Sequence, residues 1–176
     1  MRKLVLALLV ASCALSVASA KVTTDADPSA VFSSYRTYHW EMKPEGGSPL
    51  MQQRIVDGIN ARLQAKGWTL ADKGDVALAA HVSSSQKQSL DTFYSGSAMG
   101  GWRWRGWGGM GTATTTVRTY DVGTLVVDMF DAKTQQAIWR GTASETLPSS
   151  PEKATKVLNK SLDKMFAKFP PGSAAQ

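Results

Sequence analysis

The sequence predicts a single exported α+β domain, an antiparallel sheet with two helices packed on one face. Three observations carry that expectation. Two stretches place apolar residues at helical spacing behind a Ser-Pro pair, the runs around them are rich in Thr, Val and aromatic residues, and the N-terminus is an apolar segment ending in small residues.

The N-terminal segment, "MRKLVLALLVASCALSVASAK", begins with Arg2 and Lys3, continues as an apolar run from Leu4 to Val17, and places Ala18 and Ala20 ahead of Lys21. That is the layout of a secretory signal peptide over residues 1–20. The run is shorter than the roughly 20 residues a permanent membrane span requires. A second processing reading competes, because Val10-Ala11-Ser12-Cys13 has the branched-small-small-Cys pattern of a bacterial lipoprotein box, in which Cys13 would carry the lipid. Few apolar residues separate Lys3 from that box, whereas cleavage after Ala20 uses the whole run. The expected product is therefore a periplasmic protein beginning at Lys21, with lipid anchoring at the outer membrane as the alternative.

Cys13 is the only cysteine, so either processing route leaves the domain without a disulfide, a Cys-based zinc site or a thiol nucleophile. Removing Arg2 and Lys3 leaves 18 basic against 14 acidic side chains, a net +4. Lysines and aspartates are interleaved rather than gathered into a stripe, which argues against nucleic acid as a partner. A weak attraction to anionic envelope components, and hence peripheral membrane association, stays open.

Residues 21–170 read as one domain. "VFSSYRTYHW", Val31 to Trp40, is aromatic and β-favouring and is taken as the first strand, ended by the loop composition "KPEGGSP". Ser48 and Pro49 then suit an N-cap and first helical position, and Leu50, Met51, Ile55, Ile59 and Leu63 repeat at helical spacing. This predicts a helix from about Pro49 to Lys66, closed by Gly67.

A short extended piece at Trp68 to Leu70 and a turn around Lys73-Gly74 precede a strand from about Val76 to Ser84, with Val76, Leu78, Ala80 and Val82 on one face. His81 falls on the other face, and His39 lies between Tyr38 and Trp40; both read as surface residues. "TATTTVRTYDVGTLVVDMFDA" predicts a long or bulged strand, with Gly123 as the irregularity. A turn at Asp131 and Thr134 leads to "QQAIWRGTASETL", its antiparallel partner. Ser150, Pro151 and Glu152 open a second helix whose Ala154, Val157, Leu158, Leu162, Met165, Phe166 and Phe169 form an apolar stripe. Pro170 and Pro171 stop it, and residues 171–176 are expected to be a disordered tail.

Between these two strand candidates lies "SGSAMGGWRWRGWGGMG", residues 95–111, with seven glycines, three tryptophans and two arginines. So many glycines carry too large a backbone entropy cost for a helix or central strand, so the stretch is a connection. Trp102, Trp104 and Trp107, interleaved with Arg103 and Arg105, are candidate binding residues. Indole has an apolar body with a polar edge, and arginine seeks phosphate, which suits sugar rings or a lipid interface. The bland alternative is a loop folding some indoles back onto the domain.

The domain lacks a G-x-S-x-G elbow, an H-E-x-x-H helix and a phosphate-binding loop, so no catalytic residues, metal or cofactor are assigned. Asp128 and Arg140 form a candidate pair across the predicted hairpin, either structural or ligand-binding. The segment that holds them, "GTLVVDMFDAKTQQAIWRGTA", resembles the hallmark of domain-of-unknown-function family 4136, a group of exported bacterial envelope proteins, many of them lipoproteins. "DPSAVFSSYRTYHW" and "INARLQAKGWTLADKGDVALAAHV" resemble the same family in the same order, and the chain departs from many members in lacking a clear lipoprotein box. The family supplies no established activity. The expected function is a noncatalytic envelope protein that binds a protein, glycan or lipid surface; a periplasmic enzyme with an unrecognised carboxylate site, or a structural accessory subunit of an envelope complex, are the alternatives.

Overall fold

A computed structural model of the chain describes residues 21–94 and 113–171. The described chain runs β1 (Lys21–Ala26), β2 (Thr37–Met42), α1 (Pro49–Ala65), β3 (Thr69–Leu70), β4 (Val76–Tyr94), β5 (Ala113–Asp131), β6 (Ala137–Thr146) and α2 (Pro151–Phe166). The strands form one sheet in the order β1-β6-β5-β4-β2-β3. β1, β6, β5 and β4 pair antiparallel, but β2 runs parallel to both β3 and β4. The sheet is therefore mixed, not purely antiparallel. The reason is α1, which returns the chain along its own length between β2 and β4, so both strands point the same way.

Two further corrections concern the start of the chain. Lys21–Ala26 is an edge strand paired with β6 from Lys21↔Ser144 to Ala26↔Trp139, so the expected first strand is in fact the second. Phe32–Ser34 forms a 3-10 turn rather than strand, and β2 begins only at Thr37. Asp75 fixes that start: its carboxylate accepts the backbone N–H of Arg36 and of Thr37, each at 3.1 Å, and the Thr37 hydroxyl at 2.8 Å.

Both helices begin where their Ser-Pro pairs place them. The Ser48 and Ser150 hydroxyls accept from the N–H groups of Met51 and Lys153, taking up donors that the first turn cannot satisfy internally. Gly67, just past α1, has φ +83°, a left-handed conformation that costs glycine little. Ile55, Ile59 and Leu63 of α1 and Leu162, Met165 and Phe166 of α2 are buried in one core with Val76, Leu78 and Ala80 of β4, Leu125, Val127 and Met129 of β5, and Trp139 and Ala143 of β6. Leu50 does not belong to it. It is 70% exposed, sharing a helix face with Arg54 and Asp57.

Polar contacts hold the helices in register with the sheet and with each other. The Asn60 side-chain oxygen accepts from the Tyr38 hydroxyl at 3.1 Å and the Trp40 indole at 3.0 Å, joining α1 to β2. Arg62 donates to Asp163 at 2.7 Å and to the Asn159 carbonyl at 3.1 Å, joining α1 to α2. Past the end of α2, Phe169 enters an aromatic cluster with Phe32, Trp68, Trp139 and Phe166 at centroid separations of 5.2–5.9 Å.

β4 and β5 outrun their neighbours. They pair without interruption from Val76↔Asp131 to Tyr94↔Ala113, whereas β2 reaches β4 only to Ala79 and β6 reaches β5 only to Val122. The nine pairs from Gln86↔Asp121 onward thus form a two-stranded ribbon, about 30 Å long at some 3.3 Å per residue. Gly123, at its root, is not the expected irregularity: it pairs regularly with both Ser84 and Glu145. A Cβ there would come within 2.6 Å of the Leu147 side chain, so the glycine makes room for leucine packing. The register shift falls instead at Met129/Phe130, opposite Ile138.

Candidate functional site

Trp102, Arg103, Trp104, Arg105 and Trp107, proposed from sequence to bind, lie outside the described residues, as do Cys13 and residues 172–176 of the tail. What the structure places is their attachment. Tyr94 and Ala113 are the last described pair of the ribbon, so the segment between them joins its tip. Along the ribbon, Leu90 and Val117 oppose one another and are 69% and 53% exposed. Strand alternation puts them on the face that continues from Val82 and Leu125, the helix-covered side of the sheet.

Asp128 and Arg140 do meet. They are cross-strand neighbours on the opposite face of the sheet, with Arg140 donating through Nε to Oδ1 at 2.5 Å and through Nη2 to Oδ2 at 3.0 Å. Asp128 is buried, whereas the Arg140 side chain is 63% exposed and lies over it. The carboxylate holds the guanidinium above the ordinary arginine range. Both carboxylate oxygens are engaged, an arrangement that ties β5 to β6. In register, Asp25 of β1 flanks Arg140 on its other side.

Other titratable groups gather at the end of the sheet away from the ribbon. Asp131 shapes the β5–β6 turn, accepting the N–H groups of Lys133 and Thr134 at 2.8 Å through one oxygen and the Tyr35 hydroxyl at 2.9 Å through the other. These bonds, the Thr134 amide foremost, lower its affinity for a proton. Burial, with the Asp131 contact second, pushes the Tyr35 phenol up to about 12, so it stays protonated and serves as a donor. Asp75 is held low in the same manner, first by the Arg36 amide. His39 is half-buried rather than a plain surface residue, its Nδ1 accepting the Gly74 N–H at 3.1 Å; His81 is exposed as expected. Among the described residues no group of three His, Cys, Asp or Glu side chains could hold a metal, and no helix is long and apolar enough to cross a membrane.

Sequence reasoning missed a groove. At the root of the ribbon, between the first turns of α1, the face of α2 and the sheet, a cleft of about 430 Å³ is lined by Met51, Ile55, Val82, Leu125, Val157 and Leu158 among others. Ser48, Ser83, Ser84 and Thr124 also border the cleft, and two further polar residues stand out. Ser161 of α2 is 3% exposed and its hydroxyl has no hydrogen-bond partner, while Glu145 of β6 is half-buried with no ion-pair partner among the described residues. The signal available in sequence was Ser161 itself, a hydroxyl standing inside the stripe of Val157, Leu158, Leu162 and Met165.

The fold and the site define a small mixed-sheet α+β domain with a projecting ribbon and an apolar side groove. The chain belongs to the family described as domain of unknown function DUF4136, whose model matches residues 22–171. Among solved structures it is similar to a DUF4136 family protein from Bacteroides thetaiotaomicron, 15% identical with a TM-score of 0.51, covering 86% of this chain and 96% of that one. It is also similar to a PDZ domain protein from Parabacteroides distasonis, 12% identical with a TM-score of 0.54, covering 88% of this chain but only 36% of that longer one. A PelC dodecamer from Paraburkholderia phytofirmans matches at 15% identity and a TM-score of 0.47, covering 84% and 97%. At such identities the likeness shows the fold alone. No curated protein matches the sequence.

Proposed function

We propose that the chain is a noncatalytic, exported cell-envelope domain that holds a protein, glycan or lipid surface at the tip of its β4–β5 ribbon. The observation that carries this reading is the ribbon itself. Two strands run about 30 Å past the rest of the sheet, and their ends are joined by the segment that concentrates three tryptophans and two arginines. A strand pair that leaves its neighbours gains no core burial for its length, and its Leu90 and Val117 remain exposed. The carboxylates with lowered proton affinity are engaged with turn amides, a capping hydroxyl and Tyr35, which suits structural roles rather than acid–base turnover. Export is supported by the signal-like segment ahead of Lys21, and periplasmic residence follows from it; a lipid anchor through Cys13 is the alternative.

The test replaces Trp102, Trp104 and Trp107 together by serine and compares parent and variant by sedimentation with isolated membranes and with cell-wall sacculi. The expected result is unchanged thermal unfolding with binding weakened by an order of magnitude or more, since each aromatic contact is worth about 1 kcal/mol. A variant that folds and binds as the parent does would overturn the assignment of contact to the ribbon tip.

A further inference from the structure

We infer that the groove at the root of the ribbon is a binding site for a single-chain amphiphile: an aliphatic chain whose head donates hydrogen bonds and is uncharged or positively charged. This assignment stands apart from the ribbon-tip reading, since none of the groove residues belongs to the tip segment. Its volume of about 430 Å³ falls within the range of about 300–1,000 Å³ in which proteins hold small ligands. Met51, Ile55, Val82, Leu125, Val157 and Leu158 give it an aliphatic wall, with no aromatic ring among the described lining residues to stack a planar ligand. That chemistry fits a flexible hydrocarbon chain.

Of the polar residues along the groove, Ser161, with its unmatched hydroxyl, and Glu145, with its charge, define the head group. A serine inside a helix ordinarily satisfies its hydroxyl on the carbonyl four residues back. Ser161 does not, although its hydroxyl is buried. A buried unmatched hydroxyl is unfavourable in the free protein and is relieved by a partner that reaches it. Among the described residues Glu145 is the only charged one lining the groove, and register places it on the helix-covered face beside Gly123. A half-buried carboxylate on an apolar wall repels an anionic head and favours a donor. The resulting preference runs against the net charge of the whole chain, +6, which would attract anions without discrimination. Selection of this kind must come from the groove.

Three twelve-carbon probes below their micelle concentrations separate the possibilities: dodecylamine, monolauroylglycerol and dodecanoate, titrated calorimetrically into the purified protein. Dodecylamine and monolauroylglycerol should saturate one site, with dodecanoate weaker by about tenfold or more. Glu145→Gln should remove most of that discrimination. Ala154→Phe, which projects a ring from α2 into the cleft, should abolish binding of all three; if that variant fails to fold, the dodecylamine preference of the parent and its loss in Glu145→Gln decide the matter. Ser161→Ala should melt at or above the parent's temperature yet bind monolauroylglycerol several-fold more weakly. Equal or tighter binding of dodecanoate, absence of saturation by any probe, or a dimer that a folded Ala154→Phe dissociates would each overturn the assignment, the last by giving the groove to a second copy of the chain.

Discussion

Replacing Phe169 by alanine removes the ring on which the end of the domain closes. Phe169 is 1% exposed and meets four other rings, with Trp68 at 5.2 Å, Trp139 at 5.4 Å, Phe166 at 5.7 Å and Phe32 at 5.9 Å, each edge to face. A buried Phe→Ala change ordinarily costs about 3–5 kcal/mol. Aromatic pairs add roughly 0.5–1.5 kcal/mol each beyond area burial, so four partners place this site near the top of that range, about 4–5 kcal/mol. For a domain of this size about 1 kcal/mol moves the melting temperature by roughly 2–4 °C, which gives a fall of about 8–20 °C. Phe169→Leu keeps most of the apolar volume and should recover more than half of it. Far-UV circular dichroism during heating, with urea unfolding at fixed temperature, measures both variants. A Phe169→Ala protein that melts within about 3 °C of the parent would refute the cluster as a source of stability.

Acid stability should follow Asp75 and Asp131. Both bind protons less readily when folded, so their contribution is present above the unfolded carboxylate range near pH 4 and is lost as pH falls through the lower folded values; Asp75→Asn and Asp131→Asn should each flatten the decline of melting temperature below about pH 4. An unchanged acid limb would show that these contacts do not govern it. At the outer face, Arg140→Ala strands a buried carboxylate whereas Asp128→Ala leaves an exposed guanidinium that water solvates, so the arginine variant should unfold at the lower urea concentration. The reverse order would mean that Asp128 is better solvated than its position implies.

Local chemistry made the helices legible. Ser48-Pro49 and Ser150-Pro151 are cap and first-turn pairs whose hydrogen bonds form within three residues, and the stripes behind them needed only helical periodicity. The β5–β6 hairpin was equally local, with Asp131 and Thr134 setting its turn and Asp128 meeting Arg140. β1 escaped because "KVTTDA" alternates little and gains its strand state from β6, more than a hundred residues away. The parallel β2–β4 pairing escaped for a related reason: partner choice is decided by where α1 delivers the chain, which no residue in either strand encodes. Gly123 was misread because a glycine in a strand pattern has two causes, a bulge or a close neighbour, and Leu147 supplies the second. The groove could not be seen from one element alone, since its walls come from α1, α2 and the sheet.

The ribbon also has a mechanical meaning. β4 contains neither glycine nor proline between Val76 and Tyr94, and the lone glycine of β5, Gly123, is roofed by Leu147 at the point where bending would have to begin. The arm therefore has no glycine or proline hinge, and any bending is spread along its length. A load applied along the arm is carried by two strands that continue without a break into the centre of the sheet. If the tip binds as proposed, the arm would work as a spacer between the bound surface and the body of the domain.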